Sequence, residues 1–162
     1  MIKTAIVTIS DKGSKGERKD GTGEALKNIL DPEYYSIDHY KIIPDELEKI
    51  VEELIYLSDE LKVNLVLTNG GTGFSKRDVT PEATMQVIKK YVPGIGEAMR
   101  SESLKVTPKA MLSRAISGIR NETLIVNLPG SPKGAVENLQ AILPALPHGI
   151  DILTGKASEC AR

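Results

Sequence analysis

Apolar residues form three short, nearly continuous runs along the chain, at residues 4–9, 65–67 and 123–128. Runs of this length, rich in β-branched residues, are typical of strands that are buried on both faces of a parallel sheet. Residues 34–43 alternate loosely and end in two isoleucines, which predicts a fourth strand. The pattern therefore predicts a sheet whose strands are well separated along the chain.

Between these runs apolar residues recur at three- and four-residue spacing, which predicts amphipathic helices. One helix carries Leu26 and is capped by Asp20 or Thr22, and another passes through Met99. The other predicted helices span residues 45–62, residues 82–91, and the segment that follows Ser131 and ends at residues 144–147. Residues 148–153 are expected to pair as an edge segment of the sheet.

Strands that alternate with helices predict an α/β fold of three layers, with a mostly parallel sheet and helices on both faces. The 162 residues contain no internal repeat and no linker, so a single domain over residues 1–162 is expected. The segment 110–119 is apolar but short and interrupted by Gly118, and it predicts no particular element.

The most informative segment follows the strand at residues 65–67, where Gly70, Gly71, Thr72 and Gly73 come almost together. Glycines permit backbone conformations that other residues rarely adopt. A turn of this kind exposes consecutive backbone N–H groups without side chains in front of them, and such a concave surface binds anions. We therefore expect this loop to contact a phosphate or another anionic group.

Two charged residues, Arg77 and Asp78, follow the glycine loop, and Thr80 with Pro81 gives the hydroxyl cap and first-turn proline of a helix. The guanidinium of Arg77 presents a fork of donors that fits a phosphate. A carboxylate beside bound phosphates is repulsive unless it holds a cation, so Asp78 is a candidate ligand of Mg²⁺. The alternative is a solvated turn in which Asp78 bonds its own backbone.

A second loop, residues 129–134, repeats this arrangement: a bare turn at Pro129 and Gly130, a hydroxyl cap at Ser131, then Pro132 and Lys133. Because the carboxyl ends of parallel strands meet at one edge of a sheet, this loop, the glycine loop and residues 10–23 should share one crevice. Glycine turns, cations and carboxylates in one crevice indicate a site for a nucleotide and a metal.

Several other classes of protein are disfavoured. The chain lacks the phosphate-binding motif of P-loop NTPases and the glycine fingerprint of dinucleotide-binding domains. His39 and His148 have no partners at zinc-ligand spacing, the net charge of −1 gives no basic surface for nucleic acid, and no apolar stretch is long enough to span a membrane. A single cysteine, Cys160, cannot form an internal disulfide, which fits a reducing cytoplasm.

The glycine loop and its continuation, residues 70–74 and 77–84, resemble the signature of the molybdopterin adenylyltransferases, the family of Mog, MoaB-like proteins and the gephyrin G domain. The match is long and free of gaps. Other segments agree with the family in the same order along the chain, namely residues 10–12, 20–23, 43–46, 93–94, 112–114 and 127–134.

The resemblance implies a reaction in molybdenum cofactor biosynthesis, in which molybdopterin is joined to AMP from ATP, Mg²⁺ assists, and pyrophosphate leaves. It implies that Asp78 and Asp45 are the key acids and metal ligands. It further implies that Ser10 and Asp11, with Ser131 and Lys133, line the opposite wall of the site. A cytoplasmic homotrimer that passes its product to a downstream metal-insertion protein is also implied.

Alternatives remain at this stage. Asp45 and Glu48 resemble a helix capping box, so Asp45 is also a candidate cap. A relative of the same fold that binds molybdopterin without adenylylating it would share most of these residues, and an unrelated nucleotide-binding regulator is the second alternative. Two residues depart from the usual family pattern, Lys12 in place of arginine and Asn69 in place of a small hydroxyl residue.

Overall fold

The protein is described by a computed structural model that covers residues 1–157, and Cys160 lies outside the described residues. Within them, strands β1 (Ile2–Ile9), β2 (Tyr35–Ile43), β3 (Leu65–Asn69), β4 (Lys90–Tyr91), β5 (Ser117–Arg120) and β6 (Thr123–Leu128) form one sheet. Their order across the sheet is β2-β1-β3-β6-β5-β4. The first four strands in this order are parallel, and β5 and β4 add an antiparallel edge.

Seven α-helices connect and cover the strands in the described part of the chain. They are α1 (Asp11–Ser14), α2 (Gly21–Ile29), α3 (Leu47–Ile55), α4 (Thr80–Val87), α5 (Pro93–Leu104), α6 (Pro132–Ile142) and α7 (Leu146–Leu153). A π-helical turn, Tyr56–Glu60, extends α3, and a 3₁₀ turn, Pro108–Leu112, follows α5. None of the described helices has the length and apolar character needed to cross a membrane.

The sheet is the middle of three layers, because alternate residues of each parallel strand belong to different apolar clusters. Ile6 and Leu67 point into the cluster formed with α2, α5, α6 and α7. Val7 and Val66 point to the other face, where they pack against α3 and α4. The predicted α/β fold, with a mostly parallel sheet and helices on both faces, is confirmed.

Three predicted elements differ from the structure. Residues 148–153 do not form an edge strand, because Leu146 and Ile150 lie four residues apart and are both buried as part of α7. The helix predicted over residues 82–91 ends at Val87, after which β4 pairs with β5. The helix predicted over residues 45–62 begins two residues later and changes to a π-helical turn at Tyr56.

Candidate active site

The carboxyl ends of β1, β3 and β6 meet at one edge of the sheet and surround a cavity of about 600 Å³, which we call the central cavity. It is lined by residues from all three expected loops: Thr8, Ile9, Ser10, Gly13, Arg18, Lys19, Asp20, Gly21, Thr22, Asp45, Asn69, Gly70, Gly71, Asp78, Gly130, Ser131 and Pro132. The crevice expected from the parallel strand order is therefore present.

A second cavity of about 320 Å³, the side cavity, lies against the other side of the glycine loop. Its lining residues are Thr72, Gly73, Arg100, Ser103, Thr107, Lys109, Ala110, Leu112, Ser113, Pro129, Ser131, Gly134, Glu137 and Asn138. Gly70 and Gly71 line the central cavity, Thr72 and Gly73 line the side cavity, and Ser131 lines both. The loop therefore separates two adjoining spaces.

Gly70 and Gly71 have backbone conformations that favour glycine, with φ of +102° and +68°. A Cβ atom on Gly70 would lie 2.3 Å from the carbonyl oxygen of Ile9, and the Gly70 N–H donates to the carbonyl of Leu128 at 3.1 Å. The end of β3 is thus packed directly against the ends of β1 and β6. Within residues 1–157 the N–H groups of Gly71, Thr72 and Gly73 have no hydrogen-bond acceptor, so they remain able to bind an anion.

Thr80 does not cap its helix through its side chain, contrary to the sequence prediction. It is the first residue of α4, and Val79 occupies the cap position without a side-chain hydrogen bond. Its Oγ1 instead donates to the carbonyl of Gly70 at 2.9 Å, and its N–H donates to the carbonyl of Gly71 at 3.1 Å. The buried hydroxyl therefore stabilises the glycine turn rather than the helix.

Asp45 also does not act as a helix cap, so the capping alternative is wrong. Glu46 precedes α3 without a side-chain cap, and the Asp45 carboxylate accepts a hydrogen bond from the Asp11 N–H at 2.9 Å. The Asp11 carboxylate in turn accepts from the Asp45 N–H at 3.0 Å. This reciprocal pair joins the loop after β1 to the loop after β2.

Arg77 and Asp11, both predicted to belong to the site, are not among the residues that line either cavity. They form a bidentate ion pair, with N–O distances of 2.9 and 2.8 Å. The guanidinium holds the pKa of the Asp11 carboxyl below its usual range. The side chain of Arg77 is 57% exposed, so the pair is at the surface. The fork of donors that was assigned to phosphate is therefore occupied by a carboxylate in this structure.

Asp78 faces the central cavity together with Asp45. Its Oδ2 accepts a hydrogen bond from the Ser75 N–H at 3.0 Å, and a Cβ atom on Gly73 would lie 2.9 Å from the same oxygen. Burial raises the pKa of the Asp45 carboxyl above its usual range, and the negative charges of Asp11 and Asp78 raise it further. The two acids are therefore close enough to repel each other.

Asp45 and Asp78 by themselves would supply only part of the ligands that a metal ion needs. Within residues 1–157 there is no cluster of three or more acidic, histidine or cysteine side chains that could hold a metal ion by itself. Mg²⁺ is bound in many enzymes by one or two carboxylates together with the phosphates of a substrate. The oxygen ligands of Asp45 and Asp78, in a cavity lined with glycine backbone, fit this mode of binding.

Arg114 was noted in the sequence only as part of a family motif, and it holds the glycine loop from outside. Its Nε donates to the carbonyl of Gly73 at 2.8 Å, its Nη2 donates to the carbonyl of Asp78 at 2.9 Å, and its Nη1 pairs with Glu82. Its own N–H donates to the carbonyl of Thr72 at 2.9 Å. A single side chain therefore sets the distance between the glycine loop and Asp78.

The remaining predicted site residues are distributed as follows. Ser10 lines the central cavity and caps α1 by accepting from the Gly13 N–H at 3.0 Å, and Ser131 caps α6 as predicted. Gly130 lines the central cavity and Pro129 the side cavity. Lys133 lines neither, since its side chain is 80% exposed and its ammonium group lies 3.9 Å from Glu137.

A buried polar network was not assigned a role from the sequence. Asp20 caps α2, and its Oδ2 accepts from Thr8 Oγ1 at 2.5 Å and from the hydroxyl of Tyr40. Asn69 donates to Thr8 at 3.0 Å. The sequence does contain a signal for this network, because Thr8 and Asn69 are polar residues near the carboxyl ends of otherwise apolar strands.

Comparisons with known proteins agree with this architecture. The model of the family described as "Probable molybdopterin binding domain" matches residues 5–148. The chain is 46% identical over 158 residues to the molybdopterin adenylyltransferase of Helicobacter pylori strain J99, covering 95% of this chain and 89% of that protein. It is 43% identical to gephyrin of Dictyostelium discoideum, covering 93% of this chain and 22% of that protein.

Solved structures give the same result. The crystal structure of the molybdopterin biosynthesis enzyme MoaB from Thermus thermophilus superposes on this chain with a TM-score of 0.92 and is 46% identical in sequence. The superposition covers 98% of this chain and 100% of the MoaB chain. The family model covers far more than half of the chain, and the identity to the relatives is high over nearly its full length. The chain therefore belongs to the family of probable molybdopterin binding domains.

Proposed function

We propose that the protein is a molybdopterin adenylyltransferase that acts in molybdenum cofactor biosynthesis. The observation that carries the proposal is the glycine loop, which separates two adjoining cavities and presents two acids, Asp45 and Asp78, at one of them. The two substrates, molybdopterin and ATP, could then bind on opposite sides of the loop, one in each cavity. Relatives at 41–46% identity over nearly the whole chain bear the name of this activity, which supports the proposal.

In the proposed reaction a phosphate oxygen of molybdopterin attacks the α-phosphorus of ATP. The new P–O bond joins molybdopterin to AMP, and the bond to the β-phosphate oxygen breaks to release pyrophosphate. The attacking oxygen is already anionic, so no strong general base is needed. What the site must do is bring two polyanions together and stabilise the charge on the leaving group.

The residues of the site fit these tasks. The free N–H groups of Gly71, Thr72 and Gly73 would bind phosphate oxygens between the two cavities. Asp45 and Asp78 would hold Mg²⁺, which would supply positive charge to the triphosphate and the departing pyrophosphate. Ser10 and Ser131 place hydroxyl groups on the wall of the central cavity.

The test is release of pyrophosphate from ATP, measured with and without molybdopterin and with and without Mg²⁺. Release that requires both is the expected result. Asp78→Asn should reduce turnover by about 10²-fold or more, because the Mg²⁺ that would stabilise charge in the transition state would lose an anionic ligand. Asp38→Asn is the matched control, since Asp38 is exposed on β2, away from the carboxyl edge of the sheet.

The same measurements separate enzyme from binding protein. Tight binding of molybdopterin with no pyrophosphate under any condition would show a relative that binds the pterin without adenylylating it. Full turnover in Asp78→Asn would remove Asp78 from the proposed chemistry.

The proposal includes an assembly and a cellular context. We infer a homotrimer from the family resemblance, which predicts a mass of three times 17.6 kDa in light scattering. We place the reaction in the cytoplasm, where the adenylylated product would pass to a metal-insertion protein. A monomer mass under conditions of full activity would contradict the trimer.

A further inference from the structure

Asn69 is the last residue of β3 and precedes the glycine loop directly. It is 1% exposed, yet it lines the central cavity beside Gly70 and Asp45. A buried side-chain amide has two donors and an oxygen acceptor, and leaving any of them without a partner costs free energy. The question is therefore which groups of Asn69 are satisfied by the protein.

A chain of hydrogen bonds determines how the amide of Asn69 is oriented. The Asp20 carboxylate accepts from the Gly23 N–H and from the hydroxyl of Thr8, at 2.8 and 2.5 Å. Because a carboxylate only accepts, the single hydroxyl proton of Thr8 is used in this bond. Thr8 can then only accept from Asn69, so the group that lies 3.0 Å from Thr8 Oγ1 must be the NH₂ of Asn69.

This orientation leaves Oδ1 of Asn69 as an acceptor without a partner. Two buried side-chain polar atoms within residues 1–157 have no hydrogen-bond partner, and they are Asn69 Oδ1 and the hydroxyl oxygen of Tyr35. Tyr35 pairs with Ile2 at the opposite edge of the sheet. Of the two residues, Asn69 is the one that lines the central cavity, but its Oδ1 has almost no accessible surface in the free protein, so a ligand reaches it only when a neighbouring group moves aside.

A neighbouring strand provides an internal comparison. Asn127 on β6 is also fully buried, and its NH₂ donates to Thr68 and Thr84 at 3.0 and 2.9 Å. Its Oδ1 accepts from the Ile116 N–H at 3.3 Å. Asn127, which lines neither the central cavity nor the side cavity, thus has protein partners for both its amide nitrogen and its amide oxygen.

We propose that Asn69 Oδ1 accepts a hydrogen bond from a neutral donor, a hydroxyl or amine group of the bound nucleotide or pterin, and so selects and orients that substrate. The proposal rests on the proposed function, because it places Asn69 in the same substrate site. An amide oxygen only accepts, so it cannot bond a deprotonated phosphate oxygen, and the group that it binds must carry a donor proton.

The first test is the variant Asn69→Leu, which removes the acceptor and keeps the volume of the side chain. Dissociation constants are measured by calorimetry for ATP, 2′-deoxy-ATP, 3′-deoxy-ATP, inosine triphosphate and molybdopterin. We expect the constant for one of the two natural substrates to rise by about threefold to tenfold, the value of one neutral hydrogen bond. The melting temperature of the free variant should change little, because removal of the unpaired buried oxygen offsets the loss of the hydrogen bond from Asn69 to Thr8.

The analogues identify the source of the donor. If it belongs to the nucleotide, removing the matching group weakens binding to the wild-type protein but has no further effect on Asn69→Leu, as in a double-mutant cycle. If it belongs to the pterin, molybdopterin binding alone is weakened. Unchanged constants for every ligand in a folded variant would overturn the proposal.

A measurement on the wild-type protein does not depend on the folding of the variant. With ¹³C-labelled asparagine, the Cγ resonance of Asn69 should shift when the substrate binds, while that of Asn127 should stay in place. A shift of Asn127 alone, or of neither residue, would also overturn the proposal. Turnover of the wild-type protein separates the role of Asn69 from the proposed function. If the wild-type protein turns over but the dissociation constants and the Cγ resonance of Asn69 do not change, only the role of Asn69 is refuted. If the wild-type protein shows no turnover, only the proposed function is refuted.

Discussion

Alanine substitutions at two glycines can separate the cost of backbone strain in the glycine loop from the cost of displacing the side chains around it. Gly71 has φ of +68° and Gly155, after the end of α7, has φ of +72°. A Cβ atom on Gly71 would lie 2.3 Å from Oγ1 of Thr80 and 3.2 Å from Oδ1 of Asp45, whereas one on Gly155 would meet nothing within 4 Å. Gly71→Ala and Gly155→Ala therefore share the same backbone penalty and differ in what the methyl group displaces.

The magnitudes follow from these contacts. A left-handed conformation costs a residue with a Cβ about 1–2 kcal/mol, and this cost applies to both variants. At Gly71 the added methyl also overpacks a buried site, which costs about 1–3 kcal/mol. Displacing Thr80 weakens its hydrogen bond to Gly70, worth about 1 kcal/mol. We therefore expect a loss of about 1–2 kcal/mol for Gly155→Ala and about 3–6 kcal/mol for Gly71→Ala.

Urea denaturation of both variants and of the wild-type protein measures these losses, since the m-value should stay constant while the midpoint falls. Turnover gives a second readout at a temperature where all three proteins are folded. Gly155→Ala should retain wild-type turnover, and Gly71→Ala should lose it because Asp45 moves. Equal stability losses, or equal turnover in both variants, would refute the assignment of the Gly71 contact.

Three further predictions concern charged residues of the site. Arg114→Lys should lose about 1–3 kcal/mol of stability in urea and most turnover, because lysine cannot replace both hydrogen bonds to the carbonyls of Gly73 and Asp78; an unchanged urea midpoint would contradict this. Burial raises the pKa of Asp45, so its contribution to stability falls as the pH rises above 3.8, and Asp45→Asn should remove this contribution in urea titrations. Asp20 has the opposite sign: burial alone would raise its pKa, but hydrogen bonds outweigh the burial and lower it, so stability is lost as the pH falls below 3.8, less steeply in Asp20→Asn than in the wild-type protein.

The parallel core and the position of the site could be predicted from the sequence, because both depend on local signals. A strand buried on both faces must be apolar throughout, as residues 4–9 and 65–69 nearly are. The positive φ values of Gly70 and Gly71 require residues without a side chain, so the glycines of the loop were informative. Parallel strands joined by helical crossovers then bring the loops to one edge of the sheet.

The remaining features depend on partners distant in sequence. β4 has two residues and no periodicity of its own, and it forms because β5 offers a partner. Asp45 looks like a cap next to its own helix, but the Asp11 N–H, 34 residues away, competes for its carboxylate. The apolar spacing of α7 is present in the sequence, but Pro147 and Gly149 interrupt it and obscure the helical pattern, although proline is tolerated in the first turn of a helix.

The ion pairing of the site explains why a cation would bind where it is proposed. Asp11 is already neutralised by Arg77, whereas no basic side chain within residues 1–157 forms an ion pair with Asp45 or Asp78. The two unpaired acids are held in place by backbone N–H groups, so their repulsion cannot be relieved by turning away. The pair of Arg77 with Asp11 is at the surface, where solvent screens it, so a phosphate could replace Asp11 at low cost. We therefore expect Arg77 to exchange partners during substrate binding, while the net negative charge that would attract Mg²⁺ stays at Asp45 and Asp78.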